Sequence, residues 1–451
     1  MPLLGATGGG SAKGFGALAN LGYFIRNSLR FRGSNSAYLR RTPGVAGDLR
    51  TWTASFWYKN GNLATNETLF SNAVVSDSIG FRSSRTLEIY FGAGTANLVT
   101  SQSFRDTAAW YHIVVAVDTT QATSSNRIKL YVNGSQVTAF SSSTYPTQNY
   151  QTSFNRDGFE QEIGRRASNT DYPLDGYMAE INWIDGQQLT PSSFGKTDAA
   201  TGQWVPKKFA GTYGTNGYYL KFSDIATTSG SNAGLGKDFS GNGNYFNTNN
   251  ISVTAGTTYD AMIDSPTLSA AASNYCVLNP LIPVTTTTVI NGNLGLSSYN
   301  GSGSVFGTIG VSSGKWYFES TSQSDAMSGI SGTPNGGAFP GVAANAYTWD
   351  AKNAQKISNS SGVSYGAAAS NGDIIGTAFD LDTGSITFYK NGVSQGEAYT
   401  FTPSGTYFPV FRNGDPAGSP PGGNISVNFG QRPFAYTPPT GFKALNTFNL
   451  P

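Results

Sequence analysis

The chain contains one histidine, His112, and one cysteine, Cys276. A Ser-His-Asp triad, a Cys-His dyad or a two-histidine metal site must use His112 or not exist. His112 lies inside the apolar run Tyr111-His112-Ile113-Val114-Val115-Ala116-Val117, where a lone histidine reads as structural. A single cysteine forms no intramolecular disulfide, which excludes a disulfide-stapled scaffold. The Gly-rich run Gly8-Gly9-Gly10-Ser11 lacks the strand, the helix and the Lys-Ser/Thr ending of a phosphate cradle. The remaining chemistry is recognition. Sugars stack on aromatic faces while neighbouring amides and carboxylates fix their hydroxyls. Ala346-Tyr347-Thr348-Trp349-Asp350 is a polar-aromatic patch in a Gly/Ala/Asn-rich region, read as a loop, and nominates Tyr347, Trp349 and Asp350. Asn149-Tyr150 nominates Tyr150 on the same reasoning.

The elements that must carry these residues are strands. Gly numbers 56 of 451 residues, aromatics are 13% and charged residues 12%. This turn-rich, weakly charged composition predicts an all-β chain with two or three domains. Trp52–Tyr58, Thr86–Phe91 and Tyr111–Val117 read as strands. Arg127–Val132 runs into Asn133-Gly134, and Ser385–Lys390 runs into Asn391-Gly392, each the signal of a two-residue hairpin. The organisation expected is two strand-and-turn domains, at 31–189 and 273–451, the first a sandwich by its spacing. An irregular connector at 190–272 joins them, and a Gly-rich N-terminal arm at 1–30 precedes them.

Net charge is +2, which gives no global support for coating nucleic acid. The first 50 residues, however, hold seven basic residues against the single acid Asp48. Lys13, Phe15, Arg26 and Arg30 are the candidate contacts of an arm that orders against a partner subunit. No apolar run approaches the roughly 18 residues needed to span a bilayer. The first residues lack a basic, apolar leader. A soluble protein without membrane insertion, made in a cytoplasm, is expected.

Trp110–Asp118 through Leu130-Tyr131-Val132-Asn133-Gly134, with Glu162-Ile163-Gly164-Arg165 and Leu174–Ile181, resembles a laminin-G-like, concanavalin-A-like domain. Gly314–Glu319, Gly372–Gly376, Asp380-Leu381-Asp382, Phe388–Gly392, Tyr407–Phe411 and Val427–Gln431 resemble, in that order, a SPRY domain. Family resemblance implies that both domains are β-sandwiches, of jelly-roll type. The latter resemblance implies partner binding near the polar loop Arg412-Asn413-Gly414-Asp415, which adds Arg412, Asn413 and Asp415 to the candidates. The former implies that calcium on a rim is an option, with Asn155, Asp157, Asp171 and Asp175 as oxygen ligands. Concanavalin-A-like folds also house glycosidases, which need two carboxylates across the sugar. The usual Glu-x-Asp-x-x-Glu signature is missing, and Glu160, Glu162 and Glu180 read as a solvated or ion-paired strand edge. No catalytic residue is therefore expected.

Asp185–Pro191 and Asp238–Asn244 resemble segments of tailed-bacteriophage virion proteins. That resemblance implies a structural protein of a tail fibre or appendage, assembled in the host cytoplasm. It would attach to other virion proteins through its arm and bind a host-surface glycan or protein. A homo-oligomer is implied, a trimer being the common form of tail fibres. A capsid decoration or adaptor protein and a polysaccharide depolymerase are the alternatives.

Overall fold

The computed structural model describes residues 4–5, 22–61, 63–73, 77–168, 170–282, 288–297, 303–321, 326–413 and 424–451. The chain divides into two compact units, one of residues 18–254 and 258–272, the other of residues 1–17, 255–257 and 273–451. Both are built from antiparallel sheets, and the only helices among the described residues are three-residue 3-10 turns. No helix is long and apolar enough to cross a membrane among the described residues.

The unit holding residues 18–254 has two eight-stranded sheets. In one, Thr51–Asn60 lies between Trp110–Asp118 and Gly176–Asp185. Trp52, Ala54, Phe56 and Tyr58 alternate onto the inner face. There they join Ile113, Val115 and Val117 from the same sheet and Leu69, Ile79, Phe81, Leu87 and Ile89 from the other. This is the period-2 burial of a sandwich core. Trp52 stacks on Trp183 with ring centroids 4.7 Å apart.

The alternate residues of Thr51–Asn60 are buried too, because residues after 187 fold over the sheet's outer face. Val114, Ala116 and Ile184 form a second cluster with Phe194 and Phe209. Thr53 Oγ1 donates to the Gln187 carbonyl at 2.7 Å. The 190–272 region is a connector with little regular structure that packs on the first sandwich and adds short strands to its sheets. Tyr218–Leu220 and Ala261–Met262 join the first sheet, and Asn247–Asn249 joins the second. The sequence signals the first of these strands in the strand-like run 217–222, whereas the other two are too short for a periodic pattern.

Four buried ion pairs fasten this unit. Asp260 receives Arg30 at 3.0 Å and Arg32 at 2.9 Å. Lys59 meets Asp264 at 2.8 Å, and Arg85 meets Glu67 at 2.7 Å. Such groups are tolerated in a core only when paired and hydrogen-bonded.

The other unit pairs an eight-stranded sheet with a six-stranded one. Lys315–Thr321, Ile374–Asp380, Ser385–Lys390 and Val393–Thr400 run in sequence order across the first. Phe318 packs edge-on against Phe379 and Phe411, at 6.1 and 5.3 Å. Leu4–Gly5 pairs in parallel with Ile309–Gly310. The rest of the Gly-rich start, including Lys13 and Phe15, lies outside the described residues.

Both expected hairpins form. Val132 pairs Ser135 and Lys390 pairs Val393 across two-residue turns. Asn133 and Gly134 have φ of 48° and 81°, Asn391 and Gly392 of 49° and 77°. Two successive positive φ values define the turn whose twist suits a hairpin, and Asn-Gly adopts them most readily.

Candidate functional site

The strand Gly176–Asp185 is irregular at one point. Ala179 pairs Trp57 and Asn182 pairs Ser55, so Glu180 and Ile181 together oppose Phe56. This is a β-bulge, and Glu180 takes a φ of +52° within it. A non-glycine residue in the left-handed region carries a conformational cost, and such residues concentrate at functional sites. On its other edge the strand changes neighbours here. Ser28–Phe31 pairs with Gly176–Met178, and Tyr218–Leu220 takes over from Ile181. Glu180 stands in the gap between them.

A cleft of about 360 Å³ opens above that gap. Its floor is a carboxyl held by two phenols. Tyr219 Oη donates to Glu180 Oε1 at 2.8 Å and lies 2.9 Å from Oε2. Tyr23 Oη donates to Oε1, and the two phenol oxygens lie 2.9 Å apart. Burial outweighs these donors and pushes the Glu180 carboxyl up to about 7. Burial, then the neighbouring Glu180 charge, holds Tyr219 and Tyr23 far above the ordinary phenol range. Tyr213 is raised for the same two reasons and donates to Asn182 Oδ1 at 2.8 Å.

The walls are aromatic, with Phe24, Phe209, Tyr213 and Phe239 all lining the space. Three cations, Arg26, Lys208 and Lys221, and the polar Asn27 and Ser223 complete the lining. Lys221 Nζ sits 4.1 Å over the Phe239 ring, which fixes its direction. None of the three makes a salt bridge among the described residues. The arrangement can grip a small polar ligand between aromatic faces, hydroxyl donors and positive charge.

Most of the residues chosen from sequence are elsewhere. Arg26 lines the cleft, whereas Arg30 is fully buried on Asp260 and cannot contact another subunit. Trp349 is no loop residue; it is fully buried in the strand Ala346–Asp350, against Phe388 at 5.6 Å, with its indole N–H on the Tyr365 carbonyl. Tyr347 is half-buried and stacks on Phe401 at 4.2 Å. Asp350 caps the following turn through the Asn353 amide at 3.1 Å. Arg412 and Asn413 are strand residues, both buried; Arg412 covers Phe339 at 4.6 Å and Asn413 Nδ2 donates to the Leu296 carbonyl. Asp415 lies outside the described residues. Tyr150 is half-buried, its carbonyl accepting from Thr119 Oγ1 at 2.6 Å.

The proposed calcium ligands are not brought together. Asn155 is buried, with Nδ2 donating to Asp185 and Oδ1 accepting from the Trp183 indole at 2.8 Å. Asp157 is exposed, Asp171 faces Arg166 at 3.6 Å, and the Asp175 amide donates to Glu67 at 3.1 Å. Among the described residues no three acidic, thiol or imidazole groups cluster as a cation site.

Glu162 is ion-paired with Arg165 through two contacts of 2.7 Å, and Glu160 with Arg40 at 3.4 Å. Glu180 departs from the strand-edge reading: it is buried and hydrogen-bonded inside the cleft. Its partners are 157 and 39 residues away in sequence, so no local motif signals the site. The one local clue is the run of aromatics in Gly217-Tyr218-Tyr219-Leu220-Lys221-Phe222.

His112 is structural. The Trp204 indole N–H donates to Nδ1 at 2.9 Å, so the ring proton sits on Nε2 and faces Ser55 Oγ at 2.9 Å. Burial holds its pKa down at about 3.

Residues 32–193 match the Concanavalin A-like lectin/glucanases superfamily in its laminin-G form, and residues 303–432 match the SPRY domain. The probable ATP-dependent RNA helicase ddx1 of Dictyostelium discoideum is 30% identical over 147 residues, 32% of this chain and 18% of that protein. The E3 ubiquitin-protein ligase RKP of Arabidopsis thaliana is 35% identical over 109 residues, 23% of this chain and 8% of that protein. The chain thus spans a small part of either relative. The SPRY domain of human HERC1 is similar at 18% identity and a TM-score of 0.29, over 35% of this chain and 99% of that one. The native heptameric SAP-like pentraxin from Limulus polyphemus is similar at 18% identity and a TM-score of 0.29, over 37% of this chain and 80% of that one. The chain carries, in order, a concanavalin A-like domain of the laminin-G kind and a SPRY domain.

Proposed function

We propose that this chain is a non-catalytic recognition protein of a bacteriophage virion, mounted on the tail or another appendage, and that it binds a host-surface glycan. The observation that carries the binding reading is the Glu180 cleft. It offers aromatic walls to the apolar face of a sugar ring, and phenols and cations to its polar groups. Glycoside hydrolysis needs two carboxyl groups flanking the bond. Among the described residues Glu180 is the one carboxyl lining the cleft, which favours binding over cleavage.

The virion setting is supported by the resemblance of Asp185–Pro191 and Asp238–Asn244 to virion segments and by the Gly-rich first residues. An appendage would present several copies, so that modest affinity per site becomes firm attachment.

Immunogold electron microscopy of intact particles, with an antibody to the SPRY domain, tests the setting. Label on tails or fibres is the expected result. Label spread over the head would make the chain a capsid decoration, and unlabelled particles would remove the virion reading. Binding of the purified chain to an array of bacterial surface saccharides tests the recognition reading.

A further inference from the structure

The cleft is unusual in its charge. Its rim carries Arg26, Lys208 and Lys221, and its floor carries one carboxyl buried under two phenols. A neutral sugar has no use for three cations that make no salt bridge among the described residues. An anionic one does, because each contact with a charged group is stronger than a neutral hydrogen bond. The floor must then avoid repelling it.

We propose that the cleft selects a saccharide bearing a carboxylate, which Arg26, Lys208 and Lys221 hold while Glu180 beneath it is uncharged. This rests on the glycan-binding reading and names the class of glycan. Glu180 is faced by Tyr23 from the segment leading into Ser28–Phe31, by Tyr219 from Tyr218–Leu220 and by Tyr213 from the preceding loop. Lys221 and Lys208 act on it through space. When Glu180 is ionised, both phenols donate to it. When it is protonated, its own O–H satisfies one phenol oxygen and releases a phenol proton toward the cleft. Protonation thus removes a repelling charge and frees a donor in a single step.

The sign follows. An acidic sugar binds the protonated cleft, so binding takes up a proton. With Glu180 titrating at about 7, the competent fraction falls about tenfold between pH 6 and pH 8, and the affinity falls with it.

The test uses the full chain on a saccharide array in which each acidic saccharide is printed beside its carboxyl-reduced counterpart, read at pH 6 and pH 8. Acidic saccharides should bind at pH 6, weaken about tenfold at pH 8, and lose binding on reduction. Equal binding of acidic and reduced forms overturns the inference and leaves the glycan-binding reading standing. Binding to no saccharide overturns both. Lys208→Ala with Lys221→Ala should weaken acidic-sugar binding by at least about tenfold. Glu180→Gln should bind at pH 8 as well as at pH 6. Unchanged affinity in the double lysine variant, whose Lys208 side is exposed and leaves the core intact, also overturns the inference.

Discussion

Replacing Asp260 by alanine tests the frame on which the cleft depends. Asp260 Oδ1 accepts from Arg30 Nε at 3.0 Å and from Arg32 Nε at 2.9 Å, and Oδ2 accepts from Arg32 Nη2 at 3.1 Å. Oδ2 also takes the Ser252 amide at 2.9 Å. The Arg30, Arg32 and Asp260 side chains are 1%, 6% and 0% exposed, so solvent cannot substitute for the lost carboxylate. Each arginine keeps a carbonyl, Tyr259 for Arg30 and Asn250 for Arg32, but both lose the Asp260 carboxylate. Breaking one buried pair costs about 3–5 kcal/mol, chiefly through the charge left behind. Two arginines depend on this carboxylate, so about 4 kcal/mol is a restrained expectation. For a unit of this size that lowers Tm by roughly 8–16 °C. Scanning calorimetry of the full chain should show the transition of the first unit moving by that amount while the SPRY transition stays in place. Arg30→Met, Arg32→Met and Asp260→Leu together should recover most of the loss, because an apolar replacement leaves no orphan charge. A shift below about 3 °C for Asp260→Ala would refute the reasoning. Arg30 lies seven residues beyond Tyr23, so saccharide binding should weaken in the single variant as well.

Other outcomes follow from the same geometry. His112 is neutral in the folded chain and regains an ordinary pKa near 6.5 on unfolding, so its contribution is complete above that value and declines as pH falls toward 3. On going from pH 7.5 to pH 5, the urea stability of the first unit should change by about 2 kcal/mol less favourably in the native chain than in His112→Gln, which lacks this acid limb but shares the opposite response of Glu180. Gly134→Ala adds a methyl 2.4 Å from the Trp204 ring at a φ of +81°, which should cost about 1–3 kcal/mol. Tryptophan emission should shift to the red as Trp204 leaves His112; an unshifted spectrum at native stability would contradict that packing. Trp349→Ala should destabilise the SPRY unit by about 3–5 kcal/mol in calorimetry, whereas a ligand-contact role would show lost binding with Tm preserved.

Legibility in the sequence followed the range of the interaction. Asn133-Gly134 and Asn391-Gly392 declared their hairpins because two adjacent residues decide the turn. Trp52 to Tyr58 declared a strand by alternation, and His112 declared itself structural by its apolar neighbours. Trp349 was misread because its flanks are rich in Gly, Ala and Asn, while its burial is imposed by pairing with Ser328 and by Phe388. The region after 190 read as a connector with little regular structure and one strand-like run, 217–222, and its other short strands left no signal because they owe their existence to a sheet already formed. Glu180 was placed on a strand, which is right, but on a solvated or ion-paired edge. A bulge leaves no mark in composition, and phenols from two distant segments turn that edge into the floor of a cleft.

The strand Ser28–Phe31 has a consequence for the order of events during synthesis. It pairs with Gly176–Met178 on one side and Ala261–Met262 on the other, and its Arg30 meets a carboxylate 230 residues downstream. At about 5–20 residues per second, the ribosome needs roughly 10–50 s to deliver that partner. For all that time the Asp260 carboxylate has not reached Arg30. Gly176–Met178, Glu180 and Tyr219 emerge earlier, so one edge of Ser28–Phe31 can pair before Ala261–Met262 and Asp260 secure the other. A nascent or truncated chain ending before residue 260 holds every residue of the floor but lacks the Ala261–Met262 strand and the Asp260 carboxylate that secure Ser28–Phe31.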